Sequence, residues 1–401
     1  MNALVLQCGG PTAVINRTLA AIVRQWRNIG VGGELHGGRH GLAALVSGDW
    51  LALSRVPDEW LAGVERAPGM ALGGGRNRLD DQDFDRAAAL LRTRAVGIVF
   101  LIGGNGTMAA GRALRAAADR AGTRLRIVGI PKTIDNDIPC TDVTPGFPSA
   151  AQFLIEAVHD IGIDAASMRG YEDVVLVETM GRHAGWLAAS TLLARLAPDD
   201  PPHLVLVPEQ PVADTAFLEQ VRERQERLGV CVITVAEGVR DRAGSFFAEH
   251  ANAGGVERDA GGQVILGRSG GPLPYFATLI RERLHLRCRL VRPDLLQRCS
   301  RAHVTALDRT IASLVGSAAV DRALADAAAD PEMIALRRTS AGWATEAVPL
   351  DEIRGERTLP PGPLDAALLQ ALLGHEPRTT QRTRTTRATD NTDNTDNTGH
   401  G

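Results

Sequence analysis

Short, uninterrupted runs of Val, Ile and Leu alternate along this chain with alanine- and arginine-rich amphipathic stretches. Ala3–Leu6, Val96–Ile102, Leu125–Ile130, Val174–Val177, Leu204–Val207 and Val230–Val235 read as strands. Runs without polar alternation suit strands covered on both faces, and the helical stretches between them predict βαβ units around mainly parallel sheet. From about Gly374 the apolar pattern stops. Thr, Arg, Asp and Asn take over, ending in Thr-Asp-Asn repeats from Thr389 to Asn397, which cannot form a core and predict disorder over 374–401.

Parallel sheets bind ligands at the carboxyl ends of their strands, so the residues after each run matter most. Cys8-Gly9-Gly10-Pro11-Thr12 follows the first, and Gly103-Gly104-Asn105-Gly106-Thr107 follows Val96–Ile102. Each is a glycine turn that opens a helix and offers backbone amides to an anion. Neither has the GxxxxGK[ST] of a Walker A loop, and neither has the downstream acidic residue of a dinucleotide site. A nicotinamide-dependent dehydrogenase is therefore not indicated. A third glycine run, Gly73-Gly74-Gly75-Arg76-Asn77-Arg78, adds two guanidiniums able to grip phosphate oxygens.

After Leu125–Ile130 comes Pro131-Lys132-Thr133-Ile134-Asp135-Asn136-Asp137. The chain holds 43 arginines and one lysine, Lys132. A lone ammonium among guanidiniums marks a position where a compact point charge does what a planar cation cannot. Asp135 beside it is expected to stay ionised and accept a hydroxyl proton, with Asp137 holding its field or a hydrated metal.

Composition narrows the classes further. With 401 residues, 44% apolar and 23% charged, the chain can bury one large core or two ordinary ones. A net charge of -3 and a pI near 6.4 argue against general nucleic-acid binding. No apolar run approaches the roughly 20 residues of a membrane span. The start, Met1 to Gln7, reads as a first strand and not as a signal peptide. Five cysteines without a CxxC pair indicate neither a disulfide framework nor a zinc site, and a reducing cytoplasm is the expected setting. The histidines show no metal-ligand spacing, Arg222–Arg227 alternates sign as a solvated helix face, and the scattered tryptophans read as packing.

These linked segments resemble the phosphofructokinases, in particular the branch of pyrophosphate-dependent enzymes and their ATP-dependent relatives. The resemblance runs from about Ala3 to Arg338. Pro131–Asp137 is similar to the family's catalytic loop and is followed by Thr144-Pro145-Gly146-Phe147-Pro148-Ser149-Ala150. Val177 to Trp186, containing Met180-Gly181-Arg182, resembles the acceptor-binding segment; Pro208-Glu209, Ala236-Glu237-Gly238 and Leu296-Gln297-Arg298-Cys299 follow in order. The resemblance implies Asp135 as catalytic base, with Lys132 and Arg182 also catalytic. It implies Gly10, Arg76, Gly104, Gly106 and Thr107 on the donor phosphates, and Thr133, Asp137, Met180, Gly181, Arg182, Glu237, Arg289 and Arg298 around the acceptor sugar phosphate. A Mg2+ ion on the donor is implied too, with Asn105 at the metal-linked position.

Several positions depart from the family pattern. Asn105 replaces a frequent aspartate, so the ion should be held less strongly. Asp173 stands where an arginine usually reaches the 6-phosphate across a subunit boundary, and a carboxylate there should repel it. Leu295 replaces a histidine or tyrosine. Gly106 replaces the aspartate whose charge fills the space of a nucleotide's α-phosphate in pyrophosphate enzymes, whereas Lys132 is typical of those enzymes. Because a lysine can swing aside and a missing side chain excludes nothing, ATP is the expected donor and pyrophosphate the alternative. The expected reaction is transfer to the 1-hydroxyl of fructose 6-phosphate or a close relative. A non-catalytic sugar-phosphate sensor would not need the whole Pro131–Asp137 loop. The expected architecture is phosphofructokinase-like: two Rossmann-like α/β domains with an interdomain cleft. Residues 1–146 form the donor domain with a return segment 298–338, residues 147–297 the acceptor domain, and 339–373 a C-terminal extension. A homodimer or homotetramer is implied.

Overall fold

The computed structural model describes residues 1–75, 78–250, 257, 266, 270–325 and 330–374. The repeats of the tail and Arg76 lie outside the described residues.

Two sheets carry the molecule. Seven strands, β1 (Asn2–Gln7), β2 (Leu35–Gly38), β3 (Trp50–Ala52), β4 (Val96–Gly103), β5 (Arg126–Pro131), β10 (Glu332–Thr339) and β11 (Gly342–Pro349), form the first, in the order β11-β10-β5-β4-β1-β2-β3. Its five inner strands are parallel, and β3 and β11 are antiparallel additions at the two edges. The second sheet is wholly parallel, with β6 (Val174–Thr179), β7 (Leu204–Leu206), β8 (Cys231–Ala236) and β9 (Cys288–Val291) in the order β7-β8-β6-β9.

The apolar runs explain this layering. Val5, Ile98, Phe100 and Val128 of the first sheet and Val175, Val177, Trp186 and Val232 around the second share one buried cluster, so the two sheets are joined by core and not by a linker. Leu4, Leu6, Val99 and Leu101 face the other way, under the helices Asp81–Thr93 and Asn105–Arg120, while Leu176, Ile233 and Val235 meet Phe217 and Phe276. Strands buried on both faces are the expected outcome of sequences with no polar alternation.

Segments distant in sequence complete the first sheet. Helix Ala306–Ala325 packs along helix Ile15–Ile29, close enough that a Cβ on Gly316 would lie 2.6 Å from the Thr18 carbonyl oxygen. Next to it, buried Asp308 accepts from the Gly146 N–H at 2.8 Å and the Ser149 N–H at 3.2 Å, capping helix Phe147–Ser167. Strand β11 lies within 339–373, so part of that extension belongs to the first sheet.

Candidate active site

The carboxyl ends of β1, β4 and β5 lie side by side, so the three loops that follow them meet. Gly103 can open the helix after β4 only as glycine, because a Cβ there would sit 2.1 Å from Thr107 Oγ1. The first turn of helix Asn105–Arg120 thus directs free amides into the same space, with Gly104 near the Lys132 carbonyl. Lys132 is buried, at 4% exposure, and its Nζ donates to the Gly10 carbonyl at 2.8 Å. A Cβ on Gly9 would come within 3.2 Å of that Nζ, and one on Gly10 within 3.1 Å of an Arg298 guanidinium nitrogen. Both glycines make room for cations. Gly9, Gly10, Pro11, Gly74, Gly75 and Arg298 line a cleft of about 480 Å³ here.

The second sheet supplies the opposite wall. Met180 and Gly181 follow β6, and Glu237 follows β8 with its N–H on the Thr179 carbonyl at 2.8 Å. Gly181 has φ +122, and a Cβ on it would meet the Ala184 oxygen at 2.6 Å. Gly238 lies so close to the Arg182 backbone that its Cβ would fall 1.9 Å from the Arg182 oxygen, so glycine is required there as well. Two adjacent residues join the walls: Gln297 Oε1 accepts the Met180 N–H at 2.9 Å, while Arg298 reaches Gly10.

Charge is concentrated at the bottom. Burial raises the Asp135 carboxyl well above the usual carboxylate range, against the expectation that Lys132 beside it keeps it ionised. Negative Asp137 and Glu237 add to the rise, while Lys132 and Arg182 oppose it. Asp135 therefore feels residues from both walls at once. Asp137 is raised in the same direction, first by burial. Burial pulls the Lys132 ammonium down to about 8, against the influence of Asp135 and Asp137. The Asp135 N–H donates to Thr133 Oγ1 at 3.1 Å, which holds the loop, and Asp135 Oδ1 is buried without a hydrogen-bond partner. A carboxylate oxygen left free near a raised pKa is suited to accept a proton.

Asn105 faces the same loop. Its Nδ2 donates to the Asp137 carbonyl at 3.1 Å and to Asp137 Oδ2 at 3.3 Å, leaving its Oδ1 buried and unpartnered. Among the described residues no three His, Cys, Asp or Glu side chains gather as a complete metal cage. One orphaned amide oxygen beside one carboxylate fits a Mg2+ that takes its remaining ligands from phosphates and water.

Not every expected residue lies here. Arg289 sits on β9 opposite Val175, away from the carboxyl ends, and pairs with Glu172 at the exposed sheet edge. Asp173 lies on the same edge, where the Arg287 N–H and guanidinium donate to it at 2.8 and 2.9 Å, so its charge is met locally. Leu295 is exposed. Thr107 is buried on the first turn of its helix, and a Cβ on Gly106 would have nothing within 4 Å of it. Sequence reading missed Glu178, buried and paired with Arg292 at 3.0 Å, whose carboxyl burial pushes up to about 7. It also missed Arg357, whose N–H donates to the Asp137 carbonyl at 2.8 Å.

Known proteins resemble this chain in sequence and fold. The chain is 34% identical over 368 residues, 90% of its length and 86% of the relative's, to a pyrophosphate–fructose 6-phosphate 1-phosphotransferase of Xanthomonas campestris pv. campestris. It is 31% identical, over 80% of its length and 87% of the relative's, to ATP-dependent 6-phosphofructokinase 3 of Streptomyces coelicolor. The crystal structure of a pyrophosphate-dependent phosphofructokinase from Marinobacter aquaeolei superposes with a TM-score of 0.80 at 28% identity, covering 93% of this chain and 90% of that one. Residues 2–323 match the phosphofructokinase family model, and with the two-sheet fold and the cleft between its walls the chain belongs to the phosphofructokinase family.

Proposed function

We propose that the protein transfers the terminal phosphoryl group of pyrophosphate to the 1-hydroxyl of fructose 6-phosphate or a closely related sugar phosphate. The observation that carries this reading is the fixed position of Lys132. Its ammonium is buried on the Gly10 carbonyl between the glycine loops, so it is not free to swing aside. A point charge held there neutralises a leaving orthophosphate. Similarity to the Xanthomonas campestris enzyme supports the same donor and goes against the expectation of ATP.

The chain's residues divide the work. Asp135 takes the proton of the sugar hydroxyl, whose oxygen bonds to the terminal phosphorus as the bridging P–O bond breaks and orthophosphate leaves. Lys132 meets the charge on that leaving group, and Arg182 the charge on the transferred group. The amides at Gly10, Gly104 and Gly106 and the hydroxyl of Thr107 cradle the donor, as Arg76 would. Thr133, Asp137, Met180, Gly181, Glu237 and Arg298 hold the acceptor, and Arg289 would serve a neighbouring subunit of a homodimer or homotetramer. Asn105 and Asp137 would hold Mg2+, which would supply charge neutralisation on the phosphates. Catalysis of this kind is mainly positioning and electrostatics.

ATP is the second reading, and Gly106 favours it. The open space there leaves room for a nucleotide's α-phosphate, and the Streptomyces coelicolor relative supports it. Phosphorus NMR of the purified protein with Mg2+, fructose 6-phosphate and pyrophosphate tests the proposal. Growth of orthophosphate and of a second sugar-phosphate resonance is expected. An unchanged spectrum would overturn it.

A further inference from the structure

Beyond the residues that the family model matches, the chain crosses the cleft once more. The segment Ile353–Leu359 starts on the first sheet, where Arg112 donates to the Leu350 carbonyl at 2.7 Å and the Ile353 carbonyl at 3.0 Å. It ends on the second, where the Leu359 N–H donates to Glu209 Oε1 at 2.9 Å, the carboxylate that also receives the Gly185 N–H at 3.0 Å. Ile353 and Leu359 are buried and anchor the two ends.

Between these anchors Arg357 touches both walls of the site. Its N–H and the Asn105 amide share the Asp137 carbonyl, at 2.8 and 3.1 Å. Its guanidinium donates to the Asn136 carbonyl at 3.4 Å and lies 4.2 Å over the ring of buried Trp186. Its own carbonyl accepts from Trp186 Nε1 at 3.1 Å. Trp186 begins the helix that follows Met180–Gly185, the acceptor arm. One residue therefore holds the loop of the base and the arm of the acceptor in a single set of contacts. A cation stacked on an indole and bonded to a carbonyl fixes direction as well as distance.

We propose that the guanidinium makes Arg357 a positioning residue for phosphoryl transfer, a clamp that, stacked on Trp186 and bonded to the Asn136 carbonyl, sets the Asp135–Asp137 loop against the acceptor arm beyond what the backbone bonds of residue 357 provide. It touches no reacting atom, and the proposal rests on the phosphotransferase reading of the cleft. Small misplacements of a reacting group cost large factors in rate, because the orientation of donor, base and acceptor supplies much of the catalysis.

The test uses Arg357→Ala and Arg357→Lys in the full chain. In ligand-free protein, amides of 132–146 are expected to exchange with deuterium at least about tenfold faster in Arg357→Ala, with those of 96–103 unchanged. In steady state kcat should fall about tenfold or more with both KM values within about twofold, and Arg357→Lys should recover part of the loss. Unchanged loop exchange would overturn the clamp, as would a uniform rise over the whole chain with a lower unfolding midpoint. If the loop responds and the wild type turns over no sugar phosphate, the clamp stands and the proposed function falls.

Discussion

The Lys132 ammonium sits on the Gly10 carbonyl at 2.8 Å, and a Cβ on neighbouring Gly9 would approach it to 3.2 Å. The pocket is cut to the size of an ammonium. A guanidinium is planar and wider, and it spreads its charge. Lys132→Arg is therefore expected to lower turnover by at least about tenfold, or about 1.4 kcal/mol in the barrier, with a larger loss for pyrophosphate than for ATP. Steady-state kinetics with both donors check it, and wild-type rates would show that the ammonium has no chemical role.

Asp135→Asn keeps the shape of the side chain and removes its capacity to take a proton. Turnover should fall by roughly 10²-fold or more. Calorimetric titration with pyrophosphate should show donor binding retained, and a variant with more than a tenth of wild-type activity would remove Asp135 from the role of base.

Two substitutions should move the acid limb of the pH profile in opposite directions. The base works ionised and its carboxyl is raised, so kcat/KM falls as pH drops through a value above the ordinary carboxylate range. Glu237 is one cause of the rise, and Lys132 opposes it. The acid limb should therefore move to lower pH in Glu237→Gln and to higher pH in Lys132→Met. Movement of both in one direction would contradict Asp135 as the titrating group.

Two glycines should respond oppositely. Gly106 has open space at its Cβ position, so Gly106→Asp should fold with an unfolding free energy within about 0.5 kcal/mol of wild type. Its carboxylate should abolish use of ATP and spare pyrophosphate. Gly238→Ala meets backbone instead, 1.9 Å from the Arg182 oxygen, and should cost about 1–3 kcal/mol while displacing Arg182 and Glu237. Denaturant titration of both variants separates a functional gate from a packing constraint.

Five of the six strands read from the sequence are buried along nearly their whole length, where continuous apolar runs leave no ambiguity; the sixth, β7, is an apolar edge strand that is only partly buried at Val205 and Leu206. The remaining five escaped for local reasons, β3 because it is only three partly buried residues long. β2 is Leu-His-Gly-Gly, with Gly37 and Gly38 pressed against leucine side chains, and it resembles a turn. β9 exposes Arg289 and Leu290 at a sheet edge. β10 and β11 form an edge hairpin whose outer strand alternates exposed and partly buried positions. In the site, Lys132, Asp135 and the glycine loops are legible because each follows an obvious strand and has an unusual residue type. Arg357 is not. It is one arginine of 43, and its importance comes from a chain crossing that no local pattern encodes. The fixed state of Lys132 was equally hidden, because a sequence shows an ammonium but not the carbonyl that holds it.

The donor decides the matter most directly. The ratio of kcat/KM for pyrophosphate to that for ATP should be measured with purified wild-type protein, saturating fructose 6-phosphate and Mg2+. A ratio of about ten or more is expected, since the fixed ammonium of Lys132 serves a leaving orthophosphate best. A ratio below one would contradict pyrophosphate as the donor and return the role of gate to the open space at Gly106.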